Sequence, residues 1–563
     1  MVFHGLRLST RLGAVALAAT AVVLGAPSAH AAEPYPGTVW TEHYFPSTDG
    51  LSMLHADVLR PKGLSDKDKT PVILTVSPYL NHSGYTTEYD PDATGPSDRF
   101  YDFLEVSDII ERGYTYVMVD LPGFGGSGGC NDWGGLREQL GVKAAVEWAA
   151  SQEWSTGRVG MMGKSYDAWT GLMGIAQQPK GLAAVVAMEP VFAGYRYLYN
   201  NGVRFLNSVT TPALFQAIDA KPGSLMEDPM YQANGAPQAW CYGANLGLQQ
   251  QDDPESAFWA ERDLLKMVDG ARTPLFMTQG FLETNTKPDG AFDFFNLLAN
   301  NNDQRAWYGQ FDHVRGWERE VSAKKPYQMG RATFVEEMMR FFDRHVKGVR
   351  VPRVDPTIEV QDALGRYRAE SSWPPADSKM WWSKLNGGTY TDDGQGSALS
   401  TAGIWSISQK LPHDVWLSGE PVLETTLDAV PRANLVANIY DIDPEGRATL
   451  ITRGAHLVRG ALEQEIELEL YGQDWPVLKG HRIGVRISDA DDWWLHVPTG
   501  SSVEIVAARI GLPFLTYERV KFIEGRMTPR LRGHLASERV SLGSAVIEAA
   551  ERRFDLPAPL KPR

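Results

Sequence analysis

The stretch Val159-Gly160-Met161-Met162-Gly163-Lys164-Ser165-Tyr166-Asp167-Ala168-Trp169 decides the fold. A short apolar run ends at Gly163, turns through Ser165 and enters a helical pattern over 168–176. A strand, a tight turn and a helix with serine at the corner make a nucleophile elbow. The turn lifts the hydroxyl above the sheet. Glycine leaves room where strand and helix nearly touch. The helix N-terminus offers N–H groups to developing negative charge. A Gly-x-Ser tripeptide alone carries little, because serine is also an ordinary helix N-cap. The flanking elements and their order carry the reading.

Outward from this stretch, apolar, β-branched runs occur at 71–78, 114–121, 158–162, 182–188, 274–278 and 305–308. Most are continuous rather than alternating, as in strands buried on both faces of a parallel sheet. Helical spacing at 136–150 and 168–176 separates them, which indicates an α/β domain. Residues 192–265, rich in Tyr, Asn, Gln and Trp with no clear strand run, read as a helical cap inserted over the sheet. A helix over 332–348 closes this domain, placed at 32–353. From 354 to 563 the texture changes to short alternating runs (357–360, 423–427, 435–440, 482–488, 502–507). Turns such as Asn386-Gly387-Gly388 lie among them. That is the pattern of an all-β sandwich.

A nucleophilic serine needs a base and an acid in the chain order Ser, acid, His. Of twelve histidines, His43, His55 and His82 precede Ser165, and five lie in the β region. His313 follows the last predicted strand in a loop, whereas His345 lies inside a helix, so His313 is the expected base. The loop after 274–278 reads Gln279-Gly280-Phe281-Leu282-Glu283, which makes Glu283 the expected acid and Asp289 its competitor. The backbone N–H of Tyr166 is one expected oxyanion donor. Tyr79, after the strand at 71–78, is either the second donor or a packing aromatic. The glycine run 123–129 invites a dinucleotide reading, but it enters Cys130-Asn131-Asp132-Trp133 rather than a helix. No cofactor or metal is assigned. Asp441-x-Asp443-x-Glu445-Gly446 lacks the ligand spacing of a calcium loop and reads as a turn.

The first 31 residues read as a secretory signal peptide: Arg7 and Arg11, an apolar stretch over 12–25, then Ala29-His30-Ala31 with cleavage expected after Ala31. Export would place Cys130 and Cys241, the only two cysteines, in an oxidising compartment where they can pair as a disulfide. With 54 basic and 69 acidic residues, the net charge of −15 argues against a nucleic-acid partner. The expected partner is a small ester or short peptide, with no membrane association after cleavage.

Together these pieces resemble the Xaa-Pro dipeptidyl-peptidase and cocaine-esterase-like hydrolases. The resemblance rests on Gly163-Lys164-Ser165-Tyr166-Asp167, Ser77-Pro78-Tyr79, Gly280-Phe281-Leu282-Glu283 and the loop from Gly309 to His313. Phe341-Phe342-Asp343-Arg344-His345-Val346-Lys347-Gly348 is similar to the family's closing helix. Tyr440-Asp441-Ile442-Asp443-Pro444-Glu445-Gly446 is similar to a jelly-roll signature, and Tyr195-Arg196-Tyr197-Leu198-Tyr199-Asn200-Asn201-Gly202 to a peptidase-branch cap segment. The resemblance implies an α/β-hydrolase with a helical cap insertion, followed by a jelly-roll sandwich. It also implies that the Tyr79 hydroxyl completes the oxyanion hole. Two positions depart: Ala168 stands where the family has Gly, and Glu283 where it has Asp.

Three functions remain open on the sequence: an ester hydrolase, an Xaa-Pro peptidase, and a binding protein on an inactive hydrolase scaffold. A peptidase needs a cap carboxylate for the substrate ammonium, with Glu189, Asp219 and Glu227 as candidates. An esterase needs only an apolar pocket, for which Phe205, Phe215, Tyr231 and Trp240 would serve.

Overall fold

The computed structural model describes residues 30–31, 34–65, 67–84, 89–221, 223–235, 245–298, 303–320, 325–352, 354–460 and 462–562. The stretch expected to be a signal sequence, apart from His30 and Ala31, and Cys241 and Trp240 lie outside the described residues.

Ten strands build the large sheet: β1 (Thr38–Pro46), β2 (Met53–Pro61), β3 (Thr70–Ser77), β4 (Thr115–Asp120), β5 (Ser155–Lys164), β6 (Leu182–Met188), β7 (Leu275–Gly280), β8 (Arg305–Gly309), β9 (Ile358–Gln361) and β10 (Tyr367–Glu370). Their spatial order is β10-β9-β8-β7-β6-β5-β3-β4-β2-β1. From β4 through β9 neighbours run parallel, while β1, β2 and β10 are antiparallel to their partners. All residues of β3, β4 and β7 are buried, which accounts for their unbroken apolar sequences. Helices α1 (Leu136–Ser151) and α2 (Tyr166–Gln177) cover one face. Helix α3 (Phe334–His345) covers the other with a buried apolar face containing Phe334, Met338, Phe341 and Phe342.

The boundary at 353 is corrected. The run at 357–360, read as the first sandwich strand, is β9, and β10 follows it as the edge of the α/β sheet. A four-residue apolar run is the same on paper in either sheet; its partner, β8, decides. Beyond it, a seven-stranded sheet centred on Ser502–Leu515 and a six-stranded sheet share one core, a β sandwich. Asp443 accepts hydrogen bonds from the Glu445 and Arg447 N–H groups and the Arg447 side chain, a turn as expected.

The cap contains short helices at Gly194–Leu198, Thr211–Asp219, Pro229–Asn234 and Ala257–Ala260. It also contains strands that the sequence reading lacked. Tyr199–Asn200 and Val203–Phe205 form a hairpin that pairs with Trp494–Leu495 of the sandwich, so the cap is fastened to the second domain.

Candidate functional site

The parallel strands deliver their C-terminal ends to one edge, where loops gather the functional side chains. Ser165 sits between β5 and α2 at φ 65°, ψ −124°, a strained position for a non-glycine residue. Its N–H donates to Met188 O at 2.9 Å, tying the corner to the end of β6. A Cβ on Gly163 would lie 2.4–2.5 Å from the carbonyl and Cβ atoms of Asp167. Only glycine lets the strand pass that close beneath the helix. Thr170 Oγ1 donates to Val76 O at 2.8 Å and fixes α2 on β3.

His313 follows β8 by four residues, and Glu283 follows β7 by three. The loops meet: His313 Nδ1 lies 2.8 Å from Glu283 Oε2, with Glu283 fully buried and His313 about one-fifth exposed. Lys164 Nζ, beside Ser165, donates to His313 O at 3.2 Å, which joins the base loop to the elbow. Asp289 is engaged elsewhere, with Arg196 at 3.0 Å and Asn200 at 3.2 Å. Asp312 turns back to accept the His313 N–H at 2.9 Å. His345 pairs with Asp303 on the far side of the domain.

Tyr79 follows β3. The Arg99 guanidinium covers its ring at 4.2 Å and pairs with Asp167 of α2 at 3.0 Å, so one arginine links the tyrosine ring to the helix that follows Ser165. The Tyr166 side chain points down, donating to Glu138 Oε2 at 2.6 Å. Burial first, then the Glu138 charge and the nearby Tyr79, push its phenol far above the ordinary value. The backbone N–H of Tyr166 is at the first turn of α2, where such groups have no intrahelical acceptor. Phe215 packs against both tyrosines, with ring centroids 4.7 Å from Tyr166 and 6.0 Å from Tyr79.

The three candidate ammonium ligands separate. Glu227 belongs to a histidine cluster 2.9 Å from His82. Asp219 stands one turn beyond Phe215 on the Thr211–Asp219 helix, with its carboxyl pushed up to about 7 by burial and by Glu138. Glu189 lies behind the His–Glu pair. Its two oxygens accept from Thr278 Oγ1 and Gly280 N, each at 3.0 Å. Burial, then the charge of Glu283, holds Glu189 well above the carboxylate range. Burial also pushes Glu283 up, but His313 and its hydrogen bonds prevail and hold it below its ordinary value. Of the two carboxyls, Glu189 therefore holds a proton more readily than Glu283. Only the position of Glu189, one residue past β6, could have signalled this pair.

Of the cap aromatics, Phe215 alone reaches Tyr79 and Tyr166 among the described residues. Tyr231 packs on the histidine cluster and Phe205 on Trp494. Cys130 is buried and is not a free thiol; the expected disulfide involves Cys241, outside the described residues.

Residues 49–315 match the family described as X-Pro dipeptidyl-peptidase (S15 family). Over that stretch, a little under half of the chain, it is similar to the S15 family. A "Putative Xaa-Pro dipeptidyl-peptidase" of Streptomyces avermitilis is 26% identical over 451 residues, covering 69% of this chain and 61% of that protein, less than two thirds of its length. A protein of the same description from Rhodopirellula baltica is 24% identical over 560 residues, covering 84% and 87%. Among solved structures, an α-amino acid ester hydrolase has TM-score 0.64 at 17% identity, covering 88% of this chain and 99% of its own. A CocE/NonD family hydrolase from Staphylococcus aureus has TM-score 0.63 at 16% identity, covering 85% and 94%. At such identities the structural likeness concerns the fold, an α/β-hydrolase with an appended β domain. In this chain the sandwich touches the loops that carry Glu283 and His313. Gln473 Nε2 donates to Phe281 O at 3.3 Å, Arg530 Nε to Leu282 O at 3.2 Å, and Gln310 Nε2 to Gln473 Oε1 at 3.1 Å. The second domain thus braces the loops that carry Glu283 and His313.

Proposed function

We propose that the chain is a secreted serine hydrolase that cleaves acyl esters or Xaa-Pro-type peptide bonds through Ser165, His313 and Glu283. The observation that carries this reading is the 2.8 Å contact between His313 and a buried Glu283 at the sheet edge where Ser165 turns its strained corner. His313 Nε2 takes the Ser165 proton while Oγ attacks the acyl carbonyl. The Tyr166 N–H and the Tyr79 hydroxyl receive the oxyanion. Glu283 fixes the imidazole tautomer and stabilises its cation. The imidazolium passes its proton to the departing amine or alcohol, leaving an acyl-serine. Water, deprotonated by His313, then releases the acid.

Asp219 favours acyl groups that carry a free α-ammonium, since it stands one helical turn beyond Phe215, which packs on both tyrosines. Side-by-side hydrolysis of an Ala-Pro anilide, its N-acetyl form and short-chain nitrophenyl esters tests the reading. Turnover by the unsubstituted protein and none by Ser165→Ala are expected. Full hydrolysis by Ser165→Ala would refute the mechanism, and equal kcat/KM for the free and acetylated anilides would refute the role of Asp219. Secretion is tested by the N-terminus of the exported protein, expected at Ala32.

A further inference from the structure

A second polar cluster lies at the same sheet edge, between β1, β2, β4 and the cap. His55 and Asp57 are two residues apart on β2 and so share a face. His82 follows β3, Asp120 ends β4, and Glu227 comes from the cap just before its Pro229–Asn234 helix. His55, Asp57 and His82 are all buried, and each offers a ligand atom within 4.8 Å of the others.

Each imidazole is held from behind through Nδ1. His55 Nδ1 lies 2.8 Å from Asp120 Oδ2, and His82 Nδ1 lies 2.9 Å from Glu227 Oε1. The Nε2 atoms converge on one carboxylate: His82 Nε2 is 3.1 Å from Asp57 Oδ2, and His55 Nε2 is 3.9 Å from Asp57 Oδ1. Glu42 Oε1 adds a further oxygen 3.1 Å from His55 Nε2. That buried nitrogen makes no hydrogen bond of acceptable geometry.

We propose that His55 Nε2, His82 Nε2 and Asp57 bind one divalent transition-metal ion of the zinc type, with water as the fourth donor. Three observations support the assignment. A tetrahedral site with bonds of ~2.0 Å places its ligand atoms ~3.3 Å apart; here the three ligand atoms lie within 4.8 Å of one another, with His82 Nε2 3.1 Å from Asp57 Oδ2. Two imidazoles with carboxylates suit zinc-like ions, whereas calcium and magnesium take oxygen. The Asp120–His55 and Glu227–His82 contacts are the carboxylate–histidine pairs that orient metal-binding rings and fix their tautomer.

The site would fasten the cap. Glu227 is a cap residue, and Tyr231 of the adjoining helix stacks on His82 with centroids 4.5 Å apart and meets His55 edge-on at 5.0 Å. The glycine loop closes the other side. Gly126 N donates to Asp120 Oδ2 at 2.9 Å, and a Cβ on Gly126 would lie 2.6 Å from the Tyr231 ring and 2.8 Å from His55. The loop that resembled a dinucleotide motif is thus shaped to cover this cluster.

The test uses the full exported chain, stripped with a chelator and re-equilibrated with Zn2+ or Co2+. Elemental analysis after gel filtration is expected to give one zinc per chain, with Co2+ showing the visible bands of a four-coordinate site. Thermal melting should shift upward with zinc. Glu227→Gln keeps the shape and leaves the ligands in place, and should weaken zinc binding ~10–100-fold. His55→Gln should abolish the cobalt bands; circular dichroism checks that it has folded. The proposal is overturned if the folded, unsubstituted chain retains no zinc and shows no cobalt bands, as a purely ion-paired cluster would. It is overturned equally if Glu227→Gln and His55→Gln bind as the parent does. None of these readouts depends on hydrolysis.

Discussion

Glu283→Gln isolates what the buried carboxylate does. The substitution preserves volume in a fully buried position. It exchanges an acceptor for an amide that can present N–H to His313 Nδ1, where an acceptor is required at 2.8 Å. The ring must either lose that bond or flip to the tautomer that leaves a proton on Nε2, facing Ser165. Either way the base is disabled and the forming imidazolium loses its counter-charge. Loss of the acid's function in such triads costs on the order of 10⁴ in kcat, about 5 kcal/mol of transition-state stabilisation. KM should change little, because ground-state contacts are untouched. The assay is kcat and KM on a nitrophenyl ester and an Ala-Pro anilide, with Asp289→Asn in parallel. Asp289 is paired with Arg196, so its variant should remain within about tenfold of the parent. The reasoning is refuted if Glu283→Gln stays within that range, or if Asp289→Asn suffers the larger loss.

Other outcomes follow from the same geometry. Burial and the Glu283 charge raise the Glu189 pKa well above its unfolded value, so stability present below its unfolded pKa is lost as pH climbs towards the raised folded value. Glu189→Gln cannot ionise, and its melting temperature relative to the parent should increase with pH from about 4.5 upward. Asp219, pushed up to about 7, ionises as pH rises through that value. KM for substrates with a free α-ammonium should then fall, with no such trend in Asp219→Asn. Gly163→Ala drives a methyl into Asp167; overpacking of about 1–3 kcal/mol should lower the melting temperature and displace Ser165, reducing kcat. Arg368 makes two 2.7 Å bonds to the buried Asp474 across the domain boundary. Arg368→Ala strands that carboxylate and should cost about 3–5 kcal/mol in chemical denaturation.

Much of this was legible in the residues. The continuous apolar runs located six central strands because burial on both faces leaves a plain signature. Element order then singled out Ser165, His313 and Glu283, and the structure brings His313 and Glu283 into contact. What escaped were features set by tertiary partners. The run at 357–360 reads alike whether it pairs with β8 or with the sandwich. The hairpin from Tyr199 to Phe205 has strands of two and three residues, too short to show a period. Glu189 and Glu283 are far apart in sequence, and their opposite shifts arise only when burial brings them together. Chain order set aside His55 and His82 as bases for Ser165, but said nothing about their meeting over Asp57.

The central claim is that Ser165 is a nucleophile activated by His313. Treatment of the purified chain with a fluorophosphonate, followed by peptide mass spectrometry, tests it most directly. One label per chain on Ser165 is expected, absent from Ser165→Ala and strongly reduced in His313→Ala. A folded protein that remains unlabelled, or labels at another residue while Ser165→Ala still hydrolyses substrate, would contradict it.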